Sequence, residues 1–169
     1  MMKLQPYSPA FEKDCLSIFD SNVPAFFALQ ERETFRGFLN RQVHPYYYFL
    51  VSDASEKIVA CGGMKLEPSK HSAMLRWDMV SSDCQKQGAG TFLTVNRLHL
   101  LSQNPDVQMV NVYTSQHTYL FYEKFGFILQ HVVPNGIVEG MDEYYMELKL
   151  SHEKIQELTV LAERKSITL

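Results

Sequence analysis

Chemistry in this chain gathers first in one short segment, Gln85-Lys86-Gln87-Gly88-Ala89-Gly90, with Thr91 behind it. Glycines at 88 and 90 let the backbone turn tightly and put no side chain between its amides and a ligand. The first N–H groups of a helix starting here have no partner within the helix. Together with the helix dipole they form an anion site suited to a pyrophosphate. A Walker loop would need Gly-Lys-Ser/Thr, which this segment lacks. A Rossmann fingerprint would follow the first strand of a βαβ unit, whereas the pattern upstream is three antiparallel strands. By themselves the two glycines fit an ordinary helix start equally well.

Other reactive residue types form no recognisable site. Cys15, Cys61 and Cys84 are widely spaced with no CxxC pair, so reduced, structural thiols are expected. Cys84 differs only in lying beside the glycine-rich loop. His44, His71, His99, His117, His131 and His152 show no metal-ligand spacing, and no metal is expected.

The 169 residues carry a formal net charge of -3, with 46% hydrophobic and 21% charged residues, the mix of a folded globular protein. No basic block is present to neutralise phosphates, so nucleic acid is not an expected partner. No apolar run approaches the roughly 18 residues that span a bilayer. Met1-Met2-Lys3-Leu4-Gln5-Pro6 lacks the apolar stretch of a signal peptide, so a cytoplasmic protein without membrane contact is expected.

The elements that must position the loop follow from periodicity. Met2 to Tyr7 predicts a short edge strand, because Pro6 cannot donate to a ladder. Ser8-Pro9 predicts a helix start with Ser8 as its cap, followed by Phe11, Cys15, Ile18 and Phe19 at helical spacing. Pro24 interrupts, and a second helix carries Phe35, Phe38 and Leu39. Tyr46–Val51 and Lys57–Leu66 predict a hairpin around Asp53-Ala54-Ser55-Glu56. Pro68-Ser69-Lys70 turns the chain. Ala73, Leu75, Trp77 and Met79 then alternate with Met74, Arg76, Asp78 and Val80, the pattern of a strand with two faces. Gly88–Leu101 predicts a helix, Val107–Tyr113 a buried strand, and Thr118 to Phe125 a short helix ended by Gly126. Phe127–Val133 and Met141–Leu150 predict strands joined through a turn at Pro134-Asn135-Gly136. Ser151 caps a last helix containing Ile155, Leu158 and Leu161. The order is β-α-α-β-β-β-α-β-α-β-β-α, an α/β fold with a mixed sheet flanked by helices. One domain over 1–150 with a helical extension over 151–169 is expected.

Val80-x4-Gln85-x2-Gly88-x-Gly90 resembles motif A of the GNAT superfamily of N-acetyltransferases. Downstream, Ser115-Gln116-His117-Thr118-Tyr119-Leu120-Phe121-Tyr122-Glu123-Lys124-Phe125-Gly126-Phe127 resembles motif B of the same family. The two occur in the family's order, and the element order matches over residues 2–150. The chain departs from the pattern at Gln85, where Arg is frequent, at Lys86, where the family often has a first glycine, and at Ser115, where Asn is frequent.

The resemblance implies acetyl-CoA as co-substrate and direct attack of an amine on its thioester through a tetrahedral oxyanion. It implies that the fourth and fifth strands splay to admit the pantetheine arm. Met79 and Val80 would offer backbone groups to that arm and to the acetyl carbonyl, an oxyanion-hole device. The amides of Gln85, Lys86, Gln87, Gly88, Ala89, Gly90 and Thr91 would hold the pyrophosphate, with Ser115 also on the cofactor side. Tyr122 matches the family's general acid, although an aromatic on a core-facing helix is also ordinary packing. An alkyl amine is mostly protonated at neutral pH, so a base must reach it. Asp78, on the strand face of Val80, is the first candidate, and pairing with Arg76 or a lysine is its alternative. Glu143, Glu31, Glu33 and His117 follow. Val23 to Arg36 and Pro134 to Asp142 would recognise the acceptor, a small-molecule or peptide amine, with Phe26, Phe27 and Tyr144 as walls or as plain core. Family members are often dimers, so a homodimer is one expected state. An acyl-CoA-binding sensor without turnover is the competing function.

Overall fold

Alternating strands pair into one sheet, and helices cover both of its faces. The computed structural model describes residues 1–41 and 46–164; His44 and the end of the expected extension, 165–169, lie outside them. The strands are β1 (Lys3–Pro6), β2 (Tyr46–Ser52), β3 (Ile58–Glu67), β4 (Ser72–Val80), β5 (Met109–Thr114), β6 (Ile128–Val138) and β7 (Met141–Lys149). The helices are α1 (Glu12–Ser21), α2 (Glu31–Asn40), α3 (Ala89–Ser102), α4 (Tyr119–Glu123) and α5 (His152–Arg164). The described strands form one seven-stranded sheet in the order β1-β2-β3-β4-β5-β7-β6. Only the β4–β5 pairing within it is parallel. The expected element order and mixed sheet are therefore present.

Strand alternation divides the core. Leu50 and Cys61 join Phe19, Phe35 and Leu39 of α1 and α2, whereas their neighbours Val51 and Ala60 join Phe92 and Leu93 of α3. Val95, Leu98, Val110, Val112 and Met146 build the largest cluster, and Leu158 and Ala162 of α5 are buried in it. The final helix thus shares the sheet's own core. Its Lys154 also donates from Nζ to the Phe125 carbonyl, at 3.0 Å. Cys15 and Cys61 are buried together in the α1–α2 cluster, and the neighbouring Cys61 together with burial pushes the Cys15 thiol well above the usual thiol range.

Three details differ from expectation. Ser8 precedes Pro9 but makes no side-chain capping bond, and a 3-10 turn over Pro9–Phe11 leads into α1. Pro134-Asn135-Gly136 is not the turn; β6 runs through it to Val138, and the register slips between the Val133–Glu143 and Val138–Met141 pairs. Asn135 adopts φ 52° there. Its amide donates to Asp142 Oδ1 at 2.8 Å, and its Oδ1 accepts from the Gly140 amide at 2.6 Å. The third difference is a bulge in β4, which builds the site.

Candidate active site

Between the Cys61–Met79 and Gly63–Arg76 pairs, the single residue Gly62 faces both Trp77 and Asp78. The extra residue makes a β-bulge. Trp77 takes φ 55°, unusual for a bulky side chain. It is held there by Phe35 and Phe27, with ring centroids at 5.1 and 6.1 Å, and by Tyr48, whose hydroxyl donates to the Trp77 carbonyl at 2.9 Å. The bulge breaks the expected alternation. Ala73 and Leu75 pack towards α3, whereas Trp77 and Met79 pack towards α1 and α2. Asp78 consequently points to the α3 side, with Val80.

The parallel pairing of β4 with β5 stops at Leu75–Val112, while β5 stays paired with β7 as far as Thr114–Tyr144. Beyond that point β4 and β5 separate, as the resemblance implied. A cavity of about 1090 Å³ opens in the gap. Asp78, Met79, Val80, Gln85, Lys86, Gly88, Gly90, Thr91, Ser115 and Tyr122 all line it. Gln87 and Ala89 do not: the Gln87 side chain donates to the Asp83 carbonyl at 3.0 Å, and Ala89 is buried in the core.

The glycine-rich loop runs from β4 into α3. Gly88 caps α3 at φ 93°, a conformation open to glycine, and a Cβ there would meet nothing within 4 Å. At Gly90 a Cβ would lie 3.2 Å from Val80 Cγ2, so the bare backbone lets the first turn of α3 approach β4. A phosphate cradle of exposed amides fits this geometry. Lys86 also has positive φ, 61°, where the family pattern often places glycine. An L-residue there costs about 1–2 kcal/mol, partly offset by the roughly 0.5–1 kcal/mol that glycine loses in entropy. Lys86→Gly should therefore raise stability by about 0.5–1 kcal/mol, read by urea denaturation; a lower midpoint at unchanged slope would refute the strain.

The loop is tied down by Asn22, at the end of α1. Its Nδ2 donates to the carbonyls of Ile18 and Val80, at 2.8 and 2.9 Å, and its Oδ1 accepts from Gln85 Nε2 at 3.0 Å. Nothing in the local sequence marks Asn22, since an Asn after a helix is ordinary.

Among the described residues, Asp78 meets neither Arg76 nor a lysine. Its partner is Arg97 of α3, bonded bidentately with Nη1–Oδ1 at 2.6 Å and Nη2–Oδ2 at 2.7 Å. Arg97 Nη1 also donates to the Gly63 carbonyl at 2.7 Å, and the arginine is fully buried. Tyr122 of α4 donates its hydroxyl to Asp78 Oδ2 at 2.9 Å. Burial pushes this hydroxyl well above the usual tyrosine range; the Asp78 charge and hydrogen bond add to the effect, and Arg97 opposes it. For Arg97, burial works against the charge, and the attraction of Asp78 more than offsets it. Arg97 escaped notice as a polar residue on a helix. The signal was there: α3 is apolar around most of its circumference, so a charge within it needs a counter-ion.

Phe26, Phe27, Glu31, Arg76, Trp77, His117, Ile137 and Glu143 also line the cavity. Tyr144 is not among the lining residues and stacks on Tyr119 at 4.9 Å. The Glu31 carboxylate accepts from the Ala28 amide at 2.8 Å, and Glu33 lies outside, near Arg32 at 3.8 Å. Gln116 fastens the β6–β7 turn: Nε2 donates to the Gly140 carbonyl at 2.9 Å, and Oε1 accepts from the Asp142 amide at 3.0 Å. Among the described residues, no group of three His, Cys, Asp or Glu is placed to hold a metal, and no helix is long and apolar enough to cross a membrane.

The fold recurs in known acetyltransferases. A GNAT-family protein from Desulfovibrio desulfuricans superposes with a TM-score of 0.76 at 16% identity, over 89% of this chain and 100% of that one. A chimeric spermidine N-acetyltransferase from Vibrio cholerae gives 0.74 at 13% identity, over 88% and 95%. An aminoglycoside 6′-N-acetyltransferase complexed with coenzyme A gives 0.68 at 16% identity, over 88% and 97%. At such identities the likeness is one of fold. No curated protein matches the sequence significantly. The family model of the GNAT acetyltransferase domain matches residues 20–150, and the chain belongs to that family.

Proposed function

We propose that this protein transfers the acetyl group of acetyl-CoA to a primary amine by direct attack. The observation that carries this is the single cavity shared by the glycine-rich loop, the diverging β4 edge and Tyr122. Acetyl-CoA, when bound, supplies the thioester carbonyl that the amine attacks. The amides of Gln85, Lys86, Gly88, Gly90 and Thr91 hold its pyrophosphate, and the side of β4 that β5 leaves unpaired at Met79 and Val80, where Asn22 already bonds the Val80 carbonyl, faces the pantetheine arm and the carbonyl oxygen. Tyr122 is the acid. Rotation about its C–O bond carries the proton from Asp78 Oδ2 towards an acceptor in the cavity, where the leaving thiolate gathers charge.

Asp78 enters as the group that holds Tyr122. Both of its oxygens are committed, and protonating it would leave the Arg97 charge unpaired in the interior. The base at the acceptor end is Glu143. It lines the cavity, and among the described residues its carboxylate has no ion-pair partner. Phe26, Phe27 and Trp77 give the acceptor an apolar wall.

The test is thiol release from acetyl-CoA across a panel of polyamines, amino acids, aminoglycosides, aryl amines and peptides. Turnover on an amine is expected, and Glu143→Gln should lower kcat/KM by about 100-fold at neutral pH, where an alkyl amine is mostly protonated. Because the Tyr122 hydroxyl keeps its proton beyond the usual tyrosine value of about 10, loss of this acid should not depress kcat below that pH. Tight binding of CoA with no turnover on any amine would identify an acyl-CoA sensor instead.

A further inference from the structure

Arg97 is a fully buried cation with a single carboxylate bonded to it among the described residues. We propose that Arg97 is a positioning residue for acetyl transfer: it fixes the plane of the Asp78 carboxylate, so that Oδ2 holds the Tyr122 hydroxyl at the cavity wall. The proposal rests on the acetyl-transfer reading and adds to it a residue that touches neither substrate.

The geometry leaves little freedom. A fork of two parallel N–H···O bonds fixes a carboxylate in its plane as well as in its position. Nη2 takes one lone pair of Oδ2 at 2.7 Å, and Tyr122 takes the other at 2.9 Å. Arg97 is itself braced, because Nη1 reaches the Gly63 carbonyl and Nε the Leu93 carbonyl at 3.3 Å. The brace thus runs from α3 through β3 and β4 to α4, three separate attachments for one hydroxyl. The bulge makes room for it. A Cβ on Gly62 would lie 2.7 Å from Asp78 Oδ1 and 2.9 Å from Arg97 Nη1.

Simple cohesion does not call for such a device. Apolar residues of similar volume usually stabilise an interior as well as a buried ion pair does. The pair also stands at the cavity, where the Asp78 side chain is 15% exposed while Arg97 is sealed behind it. The ionisable groups that sense Asp78 are Arg97 from α3, Tyr122 from α4 and Tyr48 from β2. Of these, Arg97 is the cation.

Steady-state kinetics of the full chain, with the amine found in the panel, tests the role in Arg97→Met, Arg97→Lys and the double variant Arg97→Met/Asp78→Leu. Arg97→Met should lower kcat by roughly 10–100-fold through misplacement of the acid, with KM for acetyl-CoA within about twofold. Arg97→Lys keeps the charge but not the fork and should recover part of the rate. The double variant buries no unpaired charge and should fold even if Arg97→Met does not. It should be slow, with KM for acetyl-CoA again within about twofold.

Wild-type kcat in Arg97→Met or in the double variant would overturn the positioning role. So would a fall in kcat for Arg97→Met that comes with an equal loss of acetyl-CoA binding, or that Arg97→Lys does not partly restore, which marks a purely structural residue. A wild-type protein that releases no thiol with any amine would instead overturn acetyl transfer, and the role of Arg97 with it.

Discussion

Tyr122→Phe should lower kcat by about 10²–10⁴-fold, the usual contribution of a positioned acid, while acetyl-CoA affinity stays nearly unchanged. The ring's packing survives the substitution, since its edge contacts with Phe121 and Phe127, at 5.2 and 5.6 Å between centroids, involve no hydroxyl. The fold loses one hydrogen bond, worth about 0.5–1.5 kcal/mol. Asp78 remains satisfied by Arg97, so no carboxylate is left bare. A large rate effect with a small stability effect is therefore the signature of the acid. A residue of the core alone would show the reverse. Stopped-flow thiol release and calorimetric titration with CoA separate the two. A folded Phe variant with near wild-type kcat, when chemistry limits the rate, would reduce Tyr122 to packing.

Gly90→Asp should weaken CoA binding by about 100-fold or more. Gly90 sits in the first turn of α3 and lines the cavity beside Val80 and Phe121. A carboxylate introduced there faces the pyrophosphate. Two like charges about 4 Å apart repel by roughly 4 kcal/mol at an effective dielectric of about 20. Each 1.4 kcal/mol is about tenfold in affinity, so even a fraction of this repulsion suffices. Gly90→Ala isolates the steric part. Its Cβ lies 3.2 Å from Val80 Cγ2, a contact that a shift of a few tenths of an ångström relieves, so its effect should be several-fold at most. Calorimetry beside far-UV circular dichroism gives the comparison. Equal affinities for wild type and a folded Gly90→Asp would place the pyrophosphate elsewhere.

Most of the element order was legible, because apolar spacing reports which residues face a core whatever their partners are. The loop was legible too, since Gly88 and Gly90 sit where a strand pattern gives way to a helix pattern. What escaped depends on residues far apart in the chain. Trp77 alternates correctly as a letter. Only its register against Gly62 across the hairpin reveals that the strand changes face there. Pro134-Asn135-Gly136 has the composition of a turn, yet the Asn135 amide bonds to the Asp142 side chain and the Asn135 side chain accepts from the Gly140 amide, and the segment becomes a bulge within β6. The departure at Lys86 was visible, but not that the backbone keeps the left-handed form of the missing glycine. Asp78 was singled out for its face, and the face was right. Its partner lies nineteen positions away on α3, a separation to which helix or strand spacing is blind.

The room left by Gly62 also bears on how such a protein can change over generations. Asp78 lost alone strands a buried guanidinium, and Arg97 lost alone strands a buried carboxylate. A side chain gained at 62 presses on both. Each single step passes through a damaged fold, since breaking one side of a buried pair costs about 3–5 kcal/mol, a large share of a domain's total stability. The simultaneous exchange of 78 and 97 for apolar residues carries no such penalty. Positions 62, 78 and 97 thus form one inherited unit: descendants of this chain should either keep all three residues or have replaced the charged pair together, and sequences with a single member altered should be scarce.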